Sequence, residues 1–246
     1  MYHSIRPGKF LYDLDGKLVQ AHGGSLFYLN GTYYWYGENK EGITGNATGE
    51  PCPYWHHGVR LYSSKDLYNW KDEGCIVKES DDSSNPFHPS RIMDRPHILY
   101  NEKTKQYVLY AKTSGKDFGS ATFSVCAGDS LFSLRFLHEL DLGKFHAGDF
   151  DLFLVGNEAY IAFENPHDCM VLAKLSDDYL DIVPGSFERH IEKPFPPYTR
   201  EAPAHFERTA GIICLPREPR AIFPIRAGFT TSPTFMGAGS TSATLA

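Results

Sequence analysis

Short runs of hydrophobic and aromatic residues alternate with turn residues along the first two hundred positions of the chain. The clearest example is "GGSLFYLNGTYYWYGE" (23–38), in which Asn30-Gly31 separates two aromatic stretches. Asn-Gly suits the two positive-φ positions of a type I′ turn, so this segment predicts a β-hairpin. No stretch shows a sustained helical period, and the pattern therefore predicts an all-β fold.

The hairpin pattern recurs three times, as "RPHILYNEKTKQYVLYAK" (95–112), "DFDLFLVGNEAYIAFEN" (149–165) and "EAPAHFERTAGIICL" (201–215). In the first three of the four units a further strand and a polar turn follow, the turns being centred on Asp66, Asp129 and Asp178. Units of this kind at a spacing of about 50 to 70 residues are typical of β-propeller blades. A β-sandwich also has many short strands, but it does not predict units of like order.

Composition narrows the range of partners. The 246 residues carry a formal net charge of −6, which disfavours nucleic acid and anionic membranes as partners. A neutral small molecule or a polysaccharide fits this charge better. The start of the chain has no apolar run after its first charges, so we expect a cytoplasmic protein. Five cysteines without a CxxC motif argue against a disulfide framework and a structural zinc site.

Polar residues stand where each predicted hairpin begins: "QAHGG" (20–24), "MDRPH" (93–97), "AGDFD" (147–151) and "REAPA" (200–204). In a propeller the innermost strand of each blade lines a central channel, so these residues would converge on one funnel. Clustered carboxylates suit glycoside hydrolysis, which needs an acid for the leaving oxygen and a second group to activate water. One carboxylate can also raise the pKa of another.

Five motifs in this order, "QAHGGSLFYLNGTYYWYGE", "SSKDLYNW", "DRPHILYN", "GDFDLF" and "REAPAHF", resemble glycoside hydrolase family 43. The resemblance is strongest to the branch of exo-β-1,3-galactanases. It implies a five-bladed β-propeller and hydrolysis, with inversion, of terminal β-galactosyl, α-arabinofuranosyl or β-xylosyl groups of plant polysaccharides. The sequence does not distinguish a galactosidase from an α-L-arabinofuranosidase or a β-xylosidase. A non-catalytic sugar-binding propeller is a further alternative.

The resemblance assigns two catalytic carboxylates. Glu201 in "REAPA" matches the general acid of the family, the alternative being a surface carboxylate before a strand. Asp149 in "GDFDLF" matches the carboxylate that tunes the pKa of the acid and orients the substrate, the alternative being a turn residue that caps a hairpin.

Substrate-binding residues also follow from the resemblance. Glu38 matches a glutamate that contacts the substrate, with Trp35 or Tyr36 as a sugar-stacking face or as packing between blades. Asp94 falls where this branch usually has Glu, so its shorter side chain reaches less far, and Arg95 belongs to the same motif.

His22 occupies the place of the catalytic-base Asp of many family members, and a His or a late Gln has to serve as the base in this branch. The adjacent His56 and His57 lie in a loop insertion (45–58) and make a weak metal signal without a third ligand. No metal or cofactor is therefore expected. The resemblance leaves room for a cation in the central channel, but nothing in the sequence identifies its ligands.

The family pattern stops after "EAPAHF", where the family runs on roughly as "YYLLTSGTTGYFPNP" and this chain has "IICLPREPRAIFP". If the reading frame shifted between Glu207 and Gly211, the codons read in the other frame could encode each residue of the family's run. We therefore expect 1–208 to form an incomplete propeller of about three blades and the start of a fourth, and 209–246 to be an out-of-frame, poorly ordered tail. The chain as written is expected to be inactive, because it lacks the later catalytic groups, or barely soluble, because an incomplete propeller leaves open sheet edges and an uncovered apolar blade face.

Overall fold

A computed structural model describes residues 1–5, 7–43, 53–115, 120–166, 168–190, 202–208, 211–214, 229–232 and 241–243 of the chain. These residues form β-strands, turns and one short 3-10 helix, and none of them lies in an α-helix. The predicted all-β class is confirmed. Within the same residues, no helix is long and apolar enough to cross a membrane.

The strands form four sheets of four strands, and in each sheet the strands pair in chain order. The first sheet contains β1 (His22–Leu29), β2 (Thr32–Glu38), β3 (Val59–Ser64) and β4 (Lys71–Val77). The second contains β5 (Ile92–Asn101), β6 (Gln106–Ser114), β7 (Thr122–Gly128) and β8 (Arg135–Glu139). The third contains β9 (Phe150–Val155), β10 (Glu158–Asn165), β11 (Cys169–Lys174) and β12 (Glu188–His190). The fourth contains β13 (His205–Arg208), β14 (Gly211–Cys214), β15 (Phe229–Ser232) and β16 (Thr241–Ala243).

The first hairpin has the turn that its sequence predicts. Asn30 and Gly31 have φ values of 49° and 76°, and Leu29 pairs with Thr32 on either side of them. Positive φ at both central positions is the signature of a type I′ turn, which matches the right-handed twist of the two strands. The predicted hairpin is therefore confirmed.

The polar turns after the third strands also repeat. Leu67 and Tyr179, each directly after the turn aspartate, both have a φ of 65°. The Asp66 carboxylate accepts hydrogen bonds from the side chain and backbone of Asn69 and from the backbone of Tyr68, which hold the pKa of Asp66 well below its usual range. The same local chemistry in two units supports the repeat that the sequence indicates.

The fourth strand of each sheet is an element that the sequence pattern did not identify. The segments of β4, β8 and β12 are short or rich in charged residues, as outer strands often are, and so they lack a clear alternation. In the fourth sheet, the predicted hairpin of β13 and β14 pairs from His205–Cys214 to Arg208–Gly211, and β15 and β16 extend that sheet. Strand pairing uses backbone groups, which a run without strand alternation also supplies.

The chain divides into two compact units. The first comprises Met1–Ile98 and Lys105–Glu139 and holds the first sheet and most of the second. The second comprises Leu99–Thr104 and Leu140–Ala246. The core of the first unit includes the buried side chains of Leu61, Met93 and Leu109. A smaller cluster in the second unit contains Phe153, Ala162 and Leu172.

Candidate active site

A β-bulge at the start of β1 places His22 beside the end of β2. The pairing register shifts between His22 and Ser25, and Gly23 in this bulge has a φ of 62°. A Cβ atom on Gly23 would lie 2.6 Å from Oε1 of Glu38, and one on Gly24 would lie 1.8 Å from the carbonyl oxygen of Tyr36. The Gly-Gly pair is therefore needed for β1 to pass so close to the Glu38 carboxylate.

Glu38 is fully buried, with 0% of its surface exposed, and its carboxylate has partners on both oxygens. Oε1 accepts a hydrogen bond from the backbone N–H of Arg95 at 3.1 Å and contacts Nδ1 of His22 at 3.1 Å. Oε2 forms an ion pair with Nζ of Lys40 at 2.8 Å. A buried carboxylate needs such partners because desolvation alone would disfavour its charged form.

Asp94 has a comparable set of partners on β5. Oδ1 accepts a hydrogen bond from the indole N–H of Trp55 at 3.0 Å, and Oδ2 forms an ion pair with Lys112 at 3.2 Å. Both charged side chains of this pair are largely buried. The two carboxylates of the site, Glu38 and Asp94, therefore each have a lysine counter-charge, which suits a site for an uncharged ligand.

Lys40 connects the two carboxylate clusters. Its ammonium group donates to the carbonyl oxygen of Trp55 at 2.7 Å and lies 4.5 Å from the centre of the Trp55 ring. Since Trp55 in turn donates to Asp94, a continuous chain of contacts runs from His22 through Glu38, Lys40 and Trp55 to Asp94 and Lys112. We call these six residues the Glu38–Asp94 site.

The backbone of Arg95 is strained at this site. Arg95 has a φ of 51°, an unfavourable value for a non-glycine residue, and its N–H is the group that donates to Glu38. Trp35 packs with its ring edge-on against Trp70 at 5.4 Å, and Trp70 is buried. The predicted residues His22, Glu38, Asp94 and Arg95 thus lie in one network, and Trp35 lies in an aromatic pair. Their predicted substrate contacts stay predictions.

The ring of His22 is 68% exposed, and its one described hydrogen bond is to Glu38. This hydrogen bond raises the pKa of His22 above its ordinary value, against the opposing effect of partial burial. A base must be neutral to accept a proton, so His22 would serve as the base only at a higher pH than an ordinary histidine does.

His56 is a buried histidine next to this site. Its Nδ1 accepts a hydrogen bond from the backbone N–H of Gly58 at 2.9 Å. Nδ1 therefore carries no proton, and the His56 ring is neutral. Burial, with the nearby charge of Lys40, lowers the pKa of His56 to about 4. The structure thus favours neutral His56 at neutral pH.

We expect acid to destabilise the chain through His56. Below pH 6.5 the unfolded chain gains a proton that the folded chain binds only near pH 4. Stability should therefore fall by about 3 kcal/mol as the pH is lowered across this window. Urea unfolding of wild type and His56→Asn between pH 7 and pH 4 measures the effect, since Asn keeps an acceptor for Gly58 but does not titrate. The same replacement at His57 is the control and should keep the pH dependence.

Asp149 lies in the second unit, directly before β9, and is 9% exposed. Its carbonyl oxygen accepts a hydrogen bond from the N–H of Glu164, itself a buried carboxylate, at 2.8 Å. A Cβ atom on Gly148 would lie 2.8 Å from Cβ of Glu164, so glycine at 148 permits this close approach. Asp149 therefore begins its hairpin beside a second acidic residue that the sequence did not single out.

His205, which follows the motif of the predicted general acid, is hydrogen-bonded to β9. Oδ2 of Asp151 accepts a hydrogen bond from the N–H of His205 at 2.7 Å and contacts Nδ1 of the same residue at 3.2 Å. The His205 ring is 2% exposed and stacks on Phe153, with ring centres 4.1 Å apart. Glu201 itself lies outside the described residues, so its assignment as the acid stays a prediction.

Sequence reasoning missed several residues that the structure places in these networks: Lys40, Trp55, Lys112, Asp151, Glu164 and His205. Lys112, the partner of Asp94, comes from the neighbouring strand β6, and no short motif links the two positions. For Lys40 a signal was present, because the run "GENK" (37–40) places it two residues after Glu38.

No family model matches this sequence, and no curated protein matches it either. Solved structures do. A GH43 β-1,3-galactosidase is 28% identical to this chain with a TM-score of 0.83, and the match covers 98% of this chain and 49% of the galactosidase. A second GH43 β-1,3-galactosidase, solved with galactodeoxynojirimycin, is 24% identical with a TM-score of 0.79, and the match covers 98% of this chain and 80% of the other. An exo-β-1,3-galactanase from Phanerochaete chrysosporium, solved with β-1,3-galactotriose, is 17% identical with a TM-score of 0.77, and the match covers 96% of this chain and 53% of the galactanase.

These structures confirm the resemblance to glycoside hydrolase family 43 and to its exo-β-1,3-galactanases. The chain spans about half the length of the first of them.

Proposed function

We propose that the chain, which shares its fold with family 43 glycoside hydrolases, is part of an exo-acting β-1,3-galactosidase. The similarity to a GH43 β-1,3-galactosidase along 98% of the chain supports this proposal most strongly. The Glu38–Asp94 site agrees with it, because a partly buried cluster of polar groups with paired charges can orient the hydroxyl groups of a neutral sugar.

The proposed mechanism is hydrolysis with inversion on a five-bladed propeller. Glu201 protonates the leaving oxygen, and Asp149 raises the pKa of this acid and orients the substrate. Water attacks from the opposite face of the sugar with help from a base. His22 or a glutamine later in the intact protein takes that role. Glu38, Asp94 and Arg95 belong to the part of the site that holds the terminal sugar.

We also propose that residues 209–246 are translated out of frame. The natural protein then continues past Glu207 into the glycine turn of the family and into a fifth blade. Nucleotide sequencing of the locus on an independent clone tests this directly. An intact open frame with the family run after Glu207 supports the proposal, and a confirmed frame as printed overturns it.

Substrate class is tested on the frame-restored protein. We expect it to release galactose from β-1,3-galactobiose and to leave aryl α-L-arabinofuranosides and β-xylosides largely intact. Chromatography of the released monosaccharides measures this. Preferential release of arabinose or xylose would assign the fold to another of the family's activities, and binding without any release would make the protein a sugar-binding propeller.

A further inference from the structure

We propose that Trp55 is the sugar-stacking residue of the Glu38–Asp94 site and that Asp94 and Lys40 are the positioning residues that hold its indole ring. This inference rests on the proposed function, and it adds the side chain that would contact the apolar face of the bound sugar.

The other two tryptophans of the chain, Trp35 and Trp70, form an aromatic pair with each other. The chain contains three tryptophans, and Trp35 and Trp70 pack against each other with ring centres 5.4 Å apart. Trp70 is only 3% exposed, and its indole N–H donates to the carbonyl oxygen of Leu67 at 3.2 Å. Trp35 and Trp55 are both partly exposed, and the Trp55 side chain contacts Asp94 and Lys40 of the site described above.

Directional contacts fix the Trp55 side chain and its backbone. The indole N–H donates to Asp94, and the Lys40 ammonium group lies over the ring and also donates to the Trp55 carbonyl oxygen. The backbone N–H of Trp55 donates to the carbonyl oxygen of Pro89 at 2.6 Å. A ring held in this way loses little rotamer freedom when a ligand binds, which favours affinity.

The arrangement also explains the aspartate at position 94. Oδ1 accepts from the indole N–H of Trp55 and Oδ2 pairs with Lys112, so the carboxylate fixes the orientation of the indole ring. An aromatic ring with its polar edge hydrogen-bonded offers an apolar face, and the C–H groups on one side of a galactose ring are the complementary surface.

The test is fluorine NMR of the frame-restored protein, carrying Glu201→Gln to keep the sugar intact, labelled with 5-fluorotryptophan and titrated with β-1,3-galactobiose. Trp55→Phe identifies the Trp55 resonance, and the same replacement at Trp35 and Trp70 identifies theirs. We expect the Trp55 resonance to shift on addition of sugar while those of Trp35 and Trp70 stay in place. We also expect Trp55→Phe to weaken galactobiose binding about tenfold by calorimetry. Tyr54→Ala, which removes the exposed aromatic residue next in the chain, should bind as wild type does.

Positioning by Lys40 has its own test. Lys40→Met should move the Trp55 resonance of the free protein and weaken binding, and Lys40→Arg should restore both, because it keeps the charge over the ring. A Trp55 resonance unchanged in Lys40→Met overturns the positioning role.

Two outcomes separate this inference from the proposed function. Galactobiose binding that is undiminished in Trp55→Phe, or a shift of the Trp35 resonance in place of the Trp55 resonance, overturns the inference and leaves the galactosidase proposal standing. A frame-restored protein with Trp55 in place that binds no galactobiose overturns both.

Discussion

Replacing Glu38 with alanine is expected to lower the free energy of unfolding by about 3–5 kcal/mol. Glu38 is fully buried, and its removal leaves the Lys40 ammonium group and the Arg95 N–H without their carboxylate partner. The strained backbone of Arg95 loses the hydrogen bond that helps to hold it. Urea unfolding followed by tryptophan fluorescence measures the change.

Glu158→Ala is the matched control for this prediction. Glu158 also pairs with a lysine, Lys174, but the Glu158 side chain is 51% exposed, whereas that of Glu38 is buried. Exposed ion pairs contribute little, so the control should change stability by less than about 1 kcal/mol. Equal losses in the two variants would contradict the view that the Glu38 carboxylate is a buried, required partner.

Replacing Glu201 with glutamine in the frame-restored protein is expected to lower kcat on β-1,3-galactobiose by about 100-fold or more, because glutamine cannot protonate the leaving oxygen. On an aryl galactoside with a nitrophenolate leaving group the loss should be much smaller, since that group departs without a proton. Steady-state rates on the two substrates give the comparison.

Glu158→Gln, an exposed carboxylate in the second unit, is the control and should retain activity on both substrates. If Glu201→Gln reduced both rates by the same factor, Glu201 would be a binding or structural residue and the assignment of the general acid would fail.

The strands and turns were predictable where local chemistry fixes them. Asn30-Gly31 specifies its turn, and Asp66 specifies the polar turn after β3 through hydrogen bonds within a few residues. The outer strands could not be predicted in this way, because β8 and β12 are short and largely exposed. They are identified by their pairing with the preceding strand and not by a hydrophobic pattern of their own.

The carboxylates of the Glu38–Asp94 site could be predicted from the sequence, but the side chains that pair with them could not. Glu38 and Asp94 stand in motifs, but Lys112 reaches Asp94 from β6, and Trp55 reaches it from a loop. These contacts depend on how sheets and loops meet in space, and no spacing in the sequence encodes them. For the bulge at Gly23, the sequence shows both the glycines and Glu38, but it does not show that Gly23 lies against the Glu38 carboxylate.

The most direct test of the proposed activity is proton NMR of β-1,3-galactobiose during hydrolysis by the frame-restored protein. The account predicts galactose released first as its α-anomer, since inversion at a β-linked sugar gives the α product, followed by slow mutarotation. No release of galactose, or release first as the β-anomer, would contradict it.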